Sequence, residues 1–266
     1  MTSEASRFVG SIPENYDHGI GPHLFYEYGQ DLADRVAKRQ PKSVLELAAG
    51  TGIVTRMLRD TVTPACELIA SDLNPPMLEV ARAKFKPRER VRFEQVDATD
   101  LGFDAARFDV VACQFGVMFF PDKDRSYREV RRVLRPGGAY VFNTWDSWTG
   151  NPFARIAHEV LTSFFPDDPP GFYKVPFGYF DPDAIRASVL EAGFGEVTIS
   201  SVSFRSKIPS ASRFAQGLIF GNPAVQEIED RGGDPQAIRD ALSEAIESQL
   251  GSEMPLRALI VEAATD

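Results

Sequence analysis

Histidine and cysteine are scarce in this chain, at three and two among 266 residues. Cys66 and Cys113 sit inside apolar, strand-like runs, which fits small buried side chains in a reducing compartment and argues against a disulfide framework. His18, His23 and His158 are scattered, no Cys/His spacing matches a zinc site, and no metal is expected. An apolar run after a basic start is missing, and so is any stretch of about 18 apolar residues, so no membrane span is expected and a cytoplasmic location follows. Positive charge is also short: 29 Lys and Arg against 38 Asp and Glu leave a formal charge of -9, which argues against nucleic acid as a partner. The arginines that do cluster, Arg125, Arg128, Arg131, Arg132 and Arg135, alternate with Asp124 and Glu129 and read as a solvated helix face.

What the chain has is ordinary globular composition, 43% hydrophobic and 25% charged, enough for one large core with an elaborated cap. Residues 1–11 are small and polar and are expected to fray. Ser11 to Gly29 mixes breakers with aromatics, too broken for a regular helix, and reads as a cover over something. An amphipathic helix is predicted around Leu32, Val36 and Ala37, ending before Pro41. Strands then alternate with helices: Ser43–Leu47, a helix from Ile53, Glu67–Asp72, a helix from Pro75, Val91–Val96, Phe108–Cys113, a helix over 123–134 and Ala139–Asn143. That alternation predicts a parallel, doubly wound α/β sheet with right-handed crossovers. Beyond it come a helix over 152–162, a helix opened by Asp181-Pro182, a strand over 197–204, a helical block over 210–250 and a last apolar run, Leu256–Val261, read as a seventh strand.

The chain is organised around Val44-Leu45-Glu46-Leu47-Ala48-Ala49-Gly50-Thr51-Gly52. Small residues from Ala48 to Gly52 let the backbone turn tightly after a buried strand and lead into a helix start, the layout of a nucleotide pocket at the carboxyl edge of a sheet. Three acids close three successive strands: Glu46, Asp72 and Asp97. In a doubly wound sheet those ends converge on one crevice. Asp72 stands 20 residues after Gly52, the spacing of an acid that takes a ribose's two hydroxyls, although Asp-Leu-Asn-Pro-Pro would also serve as a helix N-cap. Asp97 with Ala98 can accept from an exocyclic amine beside a flat ring. A carboxylate at Glu46 would repel a pyrophosphate and suit a cation, so a positively charged nucleoside is the better guest.

These segments, together with Phe-Asp-Val-Val-Ala-Cys-Gln-Phe-Gly-Val-Met-Phe-Phe-Pro-Asp and Leu-Arg-Pro-Gly-Gly, resemble the class I S-adenosylmethionine-dependent methyltransferases. Within them the chain is most similar to the ubiquinone and menaquinone biosynthesis C-methyltransferases, over about residues 41 to 145. The resemblance implies a Rossmann-like sheet of seven strands with the last antiparallel and a largely helical cap. It implies S-adenosylmethionine as cofactor and S-adenosylhomocysteine as product. The methionine moiety would lie near Glu46, Ala48, Gly50, Thr51 and Gly52, with Gln114 and Phe115 beside it. Asp72 would hold the ribose, Leu73 and Met77 the adenine ring, and Asp97 with Ala98 its amino group. Tyr16 would close over the cofactor. The family usually has glycine where this chain has Ala48. The chain then divides into an N-terminal cover and helix (1–40), a cofactor-binding core (41–145), a cap insertion (146–180), a core helix and strand (181–208), a helical cap insertion (209–252) and a final core strand (253–266).

The reaction expected is in-line methyl transfer to a small molecule, since the sulfonium already activates the methyl group. Many aromatics in the variable segments, among them Phe119, Trp145, Phe153, Phe172, Tyr173 and Phe177, point to an apolar or aromatic acceptor. No acid–base pair can be read from the sequence. Two other readings compete. A nicotinamide-dependent oxidoreductase shares the Gly-x-Gly and the ribose acid, but it calls for a small residue at position 55, where Thr55 stands. A non-catalytic cofactor-binding protein would use the same fold.

Overall fold

The computed structural model describes residues 4–8, 10 and 12–266. Short helices α1 (Ile12–Asn15) and α2 (Gly21–Leu24) flank a π-helical turn, Tyr16–Ile20, and lead into α3 (Tyr26–Lys38). The core then runs β1 (Ser43–Leu47), α4 (Ile53–Thr61), β2 (Glu67–Asp72), α5 (Pro75–Ala83), β3 (Val91–Gln95), β4 (Phe108–Gln114), α6 (Lys123–Val133) and β5 (Leu134–Trp145). It continues through α7 (Pro152–Phe164), α8 (Pro182–Glu191), β6 (Glu196–Lys207), α9 (Ala211–Phe220), α10 (Ala224–Asp230), α11 (Pro235–Gln249) and β7 (Glu253–Ala264).

The strands form one sheet in the order β3-β2-β1-β4-β5-β7-β6. Pairing is parallel from β3 to β5, and β7 runs antiparallel to both its neighbours. The seven-stranded, doubly wound fold with a reversed last strand is therefore the one observed. Strand order reverses at β1, whose neighbours β2 and β4 are reached by crossovers in opposite directions, and a crevice opens there at the carboxyl ends.

Strands β1 and β4 are buried on both faces, which explains their near-continuous apolar sequences. Leu32 and Val36 of α3 and Val54 and Leu58 of α4 cover one face; Tyr127 and Val130 of α6 with Ile185 and Val189 of α8 cover the other. Helix starts follow side-chain chemistry: Asp122, Asp181, Ser210 and Asp234 each accept a backbone N–H from the first turn they open, a contact worth about 1 kcal/mol apiece. A third cluster gathers α7, α9, α11 and the cover above the strand tips. The cover meets α9 at Gly19 and Gly217, where a Cβ built on Gly19 would stand 2.6 Å from the Gly217 Cα. Only two glycines allow that approach.

Four local expectations are corrected. Ser11–Gly29 is not too broken for helix: Ser11 lies outside the described residues, and from Ile12 onward the segment is helical almost throughout, because Pro13 and Pro22 fall in first turns where no N–H is needed. Of the residues expected to fray, 1–3, 9 and 11 lie outside the described residues, while Ala5 is buried and the Phe8 N–H donates to Asn74 Oδ1 at 3.2 Å. Arg135–Gly138 does not simply separate helix from strand. β5 already pairs at Leu134 and bulges out before resuming at Ala139, and Arg135 leaves the helical face to pair with Asp109 at 2.6 Å. Finally, β6 and β7 pair over twelve positions, from Glu196 with Ala264 to Lys207 with Glu253, well beyond their apolar centres.

Candidate active site

The loop after β1 turns through three left-handed residues, Ala48 (φ 51°), Gly50 (φ 55°) and Gly52 (φ 80°). Ala48 holds a conformation that costs an L-residue about 1 kcal/mol or more. Its methyl is accommodated because residue 116 is glycine: a Cβ there would lie 2.5 Å from the Ala48 Cβ. Gly50 lines the main cavity, which measures about 330 Å³. Gly52 lines neither this cavity nor the smaller pocket that adjoins it. It begins α4 and presses against α5, where a Cβ would stand 2.9 Å from that of Ala81.

Asp72 and Asp97 line the same cavity. Asp72 closes β2, and its carboxylate accepts the Gly50 N–H at 2.9 Å and the Asn74 N–H at 2.8 Å. It does not cap α5, because Asn74 occupies that position. Burial raises its pKa above the ordinary carboxylate value, while bonds from Asn74 and Gly50 oppose the shift. Asp97 Oδ1 accepts the Thr99 N–H at 2.8 Å and its hydroxyl at 2.7 Å, which fixes the carboxylate at the tip of β3. Leu73, Val96 and Ala98, sequence neighbours of the two acids, and Met77 in the first turn of α5 add apolar lining to the same cavity.

Glu46 departs from the expected arrangement. It lines a smaller adjoining pocket with Ala49, Thr51, Ile53 and Val54, and this pocket shares Tyr16, Phe25, Ala48, Gly50 and Gln114 with the main cavity. Its carboxyl accepts the Thr55 hydroxyl at 2.6 Å and is almost fully buried. Burial raises its pKa to about 8, the nearby Asp72 charge adds to the rise and the Thr55 bond opposes it. Below that pH the group is mainly neutral, so it is not a standing negative charge at the cavity.

The cover closes the site from the amino-terminal side. Tyr16 lines both pockets and stacks on Phe25 at 5.0 Å. Burial, with Asp72 and Asp17 nearby, keeps its phenol protonated. Asp17 fastens this turn to the core, accepting the Thr51 hydroxyl at 2.6 Å and pairing with Lys84 at 2.5 Å. Thr51 therefore faces the smaller pocket with its hydroxyl already engaged.

Away from the acids the cavity is aromatic. Phe119, Trp145, Phe153, Phe172, Tyr173 and Phe177 line it, as do Gln114 at the end of β4 and Phe115 just after it. Other aromatics of the same segments do not: Phe214 is core, and Phe164 and Phe180 are exposed. The polar groups at this end are engaged, with the Tyr173 hydroxyl donating to the Leu218 carbonyl at 2.6 Å and the Asn222 amide donating to the same oxygen at 2.7 Å. None of the three histidines lines the cavity. His18 is exposed, His23 bonds the Lys207 carbonyl, and His158 packs on Trp148.

Several lining residues were not anticipated. Ser6 and Phe8 come from the segment expected to fray, and Asn222 from a break between helices. Asn74 and Thr99 fix the two acids, and their signal was local: an acid followed two residues later by Asn or Thr is an Asx-turn pattern.

A reversed seventh strand on a doubly wound sheet, with acids at the tips of β2 and β3 and a glycine turn after β1, defines the Rossmann-like methyltransferase class. Residues 44–138 match the family model described as a methyltransferase domain. The demethylmenaquinone methyltransferase of Thermus thermophilus is 39% identical over 121 residues, 43% of this chain and 54% of that protein, so the match spans little more than half the length of that relative. The ubiquinone/menaquinone biosynthesis C-methyltransferase UbiE of Ectopseudomonas mendocina is 31% identical over 179 residues, covering 62% of this chain and 70% of that one. Among solved structures, the phosphoethanolamine N-methyltransferase 2 of Haemonchus contortus, in complex with phosphomonomethylethanolamine and S-adenosylhomocysteine, superposes with a TM-score of 0.65 at 16% identity, over all of this chain and 61% of that one. The chain belongs to the S-adenosylmethionine-dependent methyltransferase family that includes the UbiE-type C-methyltransferases.

Proposed function

We propose that this protein transfers a methyl group from S-adenosylmethionine to a small apolar or aromatic acceptor by in-line displacement, releasing S-adenosylhomocysteine. The observation that carries the reading is one cavity with two fixed carboxylates, Asp72 and Asp97, at one end and aromatic rings at the other. The residues suit an adenosyl nucleoside: Asp72 takes the ribose hydroxyls, Leu73 and Met77 flank the base, and Asp97 beside Ala98 accepts its amino group. Ala48, Gly50 and Thr51 with Gln114 and Phe115 adjoin the methionine end, Glu46 is reached through the smaller pocket, and Tyr16 forms the roof. Gly52 acts on this site only by seating the loop on α5. The bound cofactor brings a methyl group already activated on sulfur. The chain's own work is to exclude water with the cover and to hold the acceptor against the methyl.

On this reading residues 41–145 carry the cofactor, while the insertions over 146–180 and 209–252 build the acceptor end. The relatives named as a demethylmenaquinone methyltransferase and a ubiquinone/menaquinone biosynthesis C-methyltransferase, with the flat aromatic walls, favour a quinone-type ring as acceptor. The test is incubation with methyl-labelled S-adenosylmethionine and reduced demethylmenaquinone. Label in the ring product with equal release of S-adenosylhomocysteine is expected; tight cofactor binding without transfer to this or any smaller aromatic ring would overturn the proposed reaction.

A further inference from the structure

Asn143 touches neither pocket, yet it sits where both ends of the site meet. It lies on β5 opposite Gln114 of β4, is fully buried, and shares a strand face with Trp145 two residues on. An amide in such a place is costly unless its polar atoms are used. Its Oδ1 accepts the Phe115 N–H at 2.8 Å, and its Nδ2 stands 3.5 Å from Gln114 Oε1. Gln114 in turn donates from Nε2 to the Phe25 carbonyl in the cover at 3.1 Å.

The hydrogen bond to Phe115 has a structural consequence. Phe115 is left-handed (φ 49°), a strained state for a non-glycine residue that persists only when its surroundings impose it. In that state the residue leaves β4, and its N–H is met by a side chain on the neighbouring strand. Its ring then lies flat on Trp145, with centroids 3.8 Å apart and planes 7° from parallel. The two stacked rings form part of the cavity wall.

We infer that Asn143 is a positioning residue: through the Phe115 N–H it holds the Phe115–Trp145 slab in the orientation against which the acceptor ring lies. This rests on the proposed methyl transfer for its consequence in turnover, but not for its structural part. A slab free to rotate would still leave Asp72 and Asp97 in place, so the cofactor would bind while the acceptor lost its alignment. Misalignment on the scale of an ångström is enough to slow a displacement about a hundredfold.

The test uses the full chain in a Trp148→Phe background, which leaves Trp145 as the sole tryptophan. Asn143→Ala is expected to lose about half or more of the near-ultraviolet dichroism of Trp145 and to weaken fluorescence quenching by a naphthoquinone probe. Affinity for S-adenosylhomocysteine should stay within about threefold, and kcat with reduced demethylmenaquinone should fall about tenfold or more. Asn143→Asp, which keeps the accepting oxygen, should restore the dichroism and most of kcat. An Asn143→Ala protein with parental dichroism and kcat overturns the inference, and so does an Asn143→Asp protein as impaired as the alanine variant. Should Asn143→Ala fail to fold, Trp145→Leu in the parent chain decides: loss of kcat with cofactor affinity intact supports the slab's role, and parental kcat refutes it. Since the dichroism is read without acceptor, a parent that methylates no quinol would refute the functional reading while the stacking signal still judges Asn143.

Discussion

The two ends of the cavity are built in different ways. At the acid end, Asp72 and Asp97 are each fixed by groups within two residues, Asn74 and Thr99, and Gly50 supplies the one distant amide. At the aromatic end, Trp145, Phe153, Phe177 and Leu218 come from separate elements, and their orientation depends on contacts across the whole cap: Trp145 stacks on Phe177 at 5.8 Å and meets Phe153 edge-on at 6.2 Å. A polar site made of short local turns is written in short motifs. An apolar site assembled from distant rings is written only in the packing.

The largest effect expected from this contrast concerns Glu46. Its folded-state pKa of about 8 lies above the ordinary value of 4.5, so the folded chain binds a proton that the unfolded chain releases first. The contribution is complete below about pH 4.5 and is lost as pH rises toward 8, so thermal stability of the cofactor-free protein should fall across that window, by on the order of a few kcal/mol from this group. Glu46→Gln should flatten the slope, and thermal melts at a series of pH values measure it. A slope unchanged in the variant would mean that Glu46 is ionised in the folded protein.

The next effect separates the two ends directly. Asp72→Ala should weaken S-adenosylhomocysteine binding tenfold or more, about 1.4 kcal/mol, by calorimetry, while leaving a naphthoquinone probe's quenching of tryptophan fluorescence almost unchanged. The smallest is the converse. Phe177→Leu keeps the bulk of a core residue but removes a ring stacked on Trp145, a contact worth about 0.5–1.5 kcal/mol, so the probe should bind two- to tenfold more weakly with cofactor affinity unaltered. If either variant weakened both ligands equally, the division of the cavity would be wrong.

The same contrast explains what was legible in the sequence. The strands could be anticipated because each is a short apolar run bounded by turn residues, whereas the reversal of β7 was implied only by the resemblance to a known family; Asp72 and Asp97 stand at strand tips that topology alone brings together. Burial between β1 and α4 pushes Glu46 toward its neutral form even though the Thr55 hydroxyl donates to it, which no spacing rule reveals. The cover was read as irregular because its prolines look like breakers, whereas their place in first turns makes them compatible with helix. Of the aromatics in the variable segments, periodicity could not tell Phe153 and Phe177, which face the cavity, from Phe214, which is core, because that choice is made by the packing of α7, α9 and α11.

The central claim is that carboxylates at neighbouring strand tips hold an adenosyl nucleoside beside an aromatic acceptor chamber. Calorimetric titration of the full chain with S-adenosylhomocysteine and, separately, with NAD tests it most directly. Saturable one-to-one binding of S-adenosylhomocysteine, with NAD bound at least a hundredfold more weakly, is the predicted result; tight binding of NAD with no heat from S-adenosylhomocysteine would contradict it.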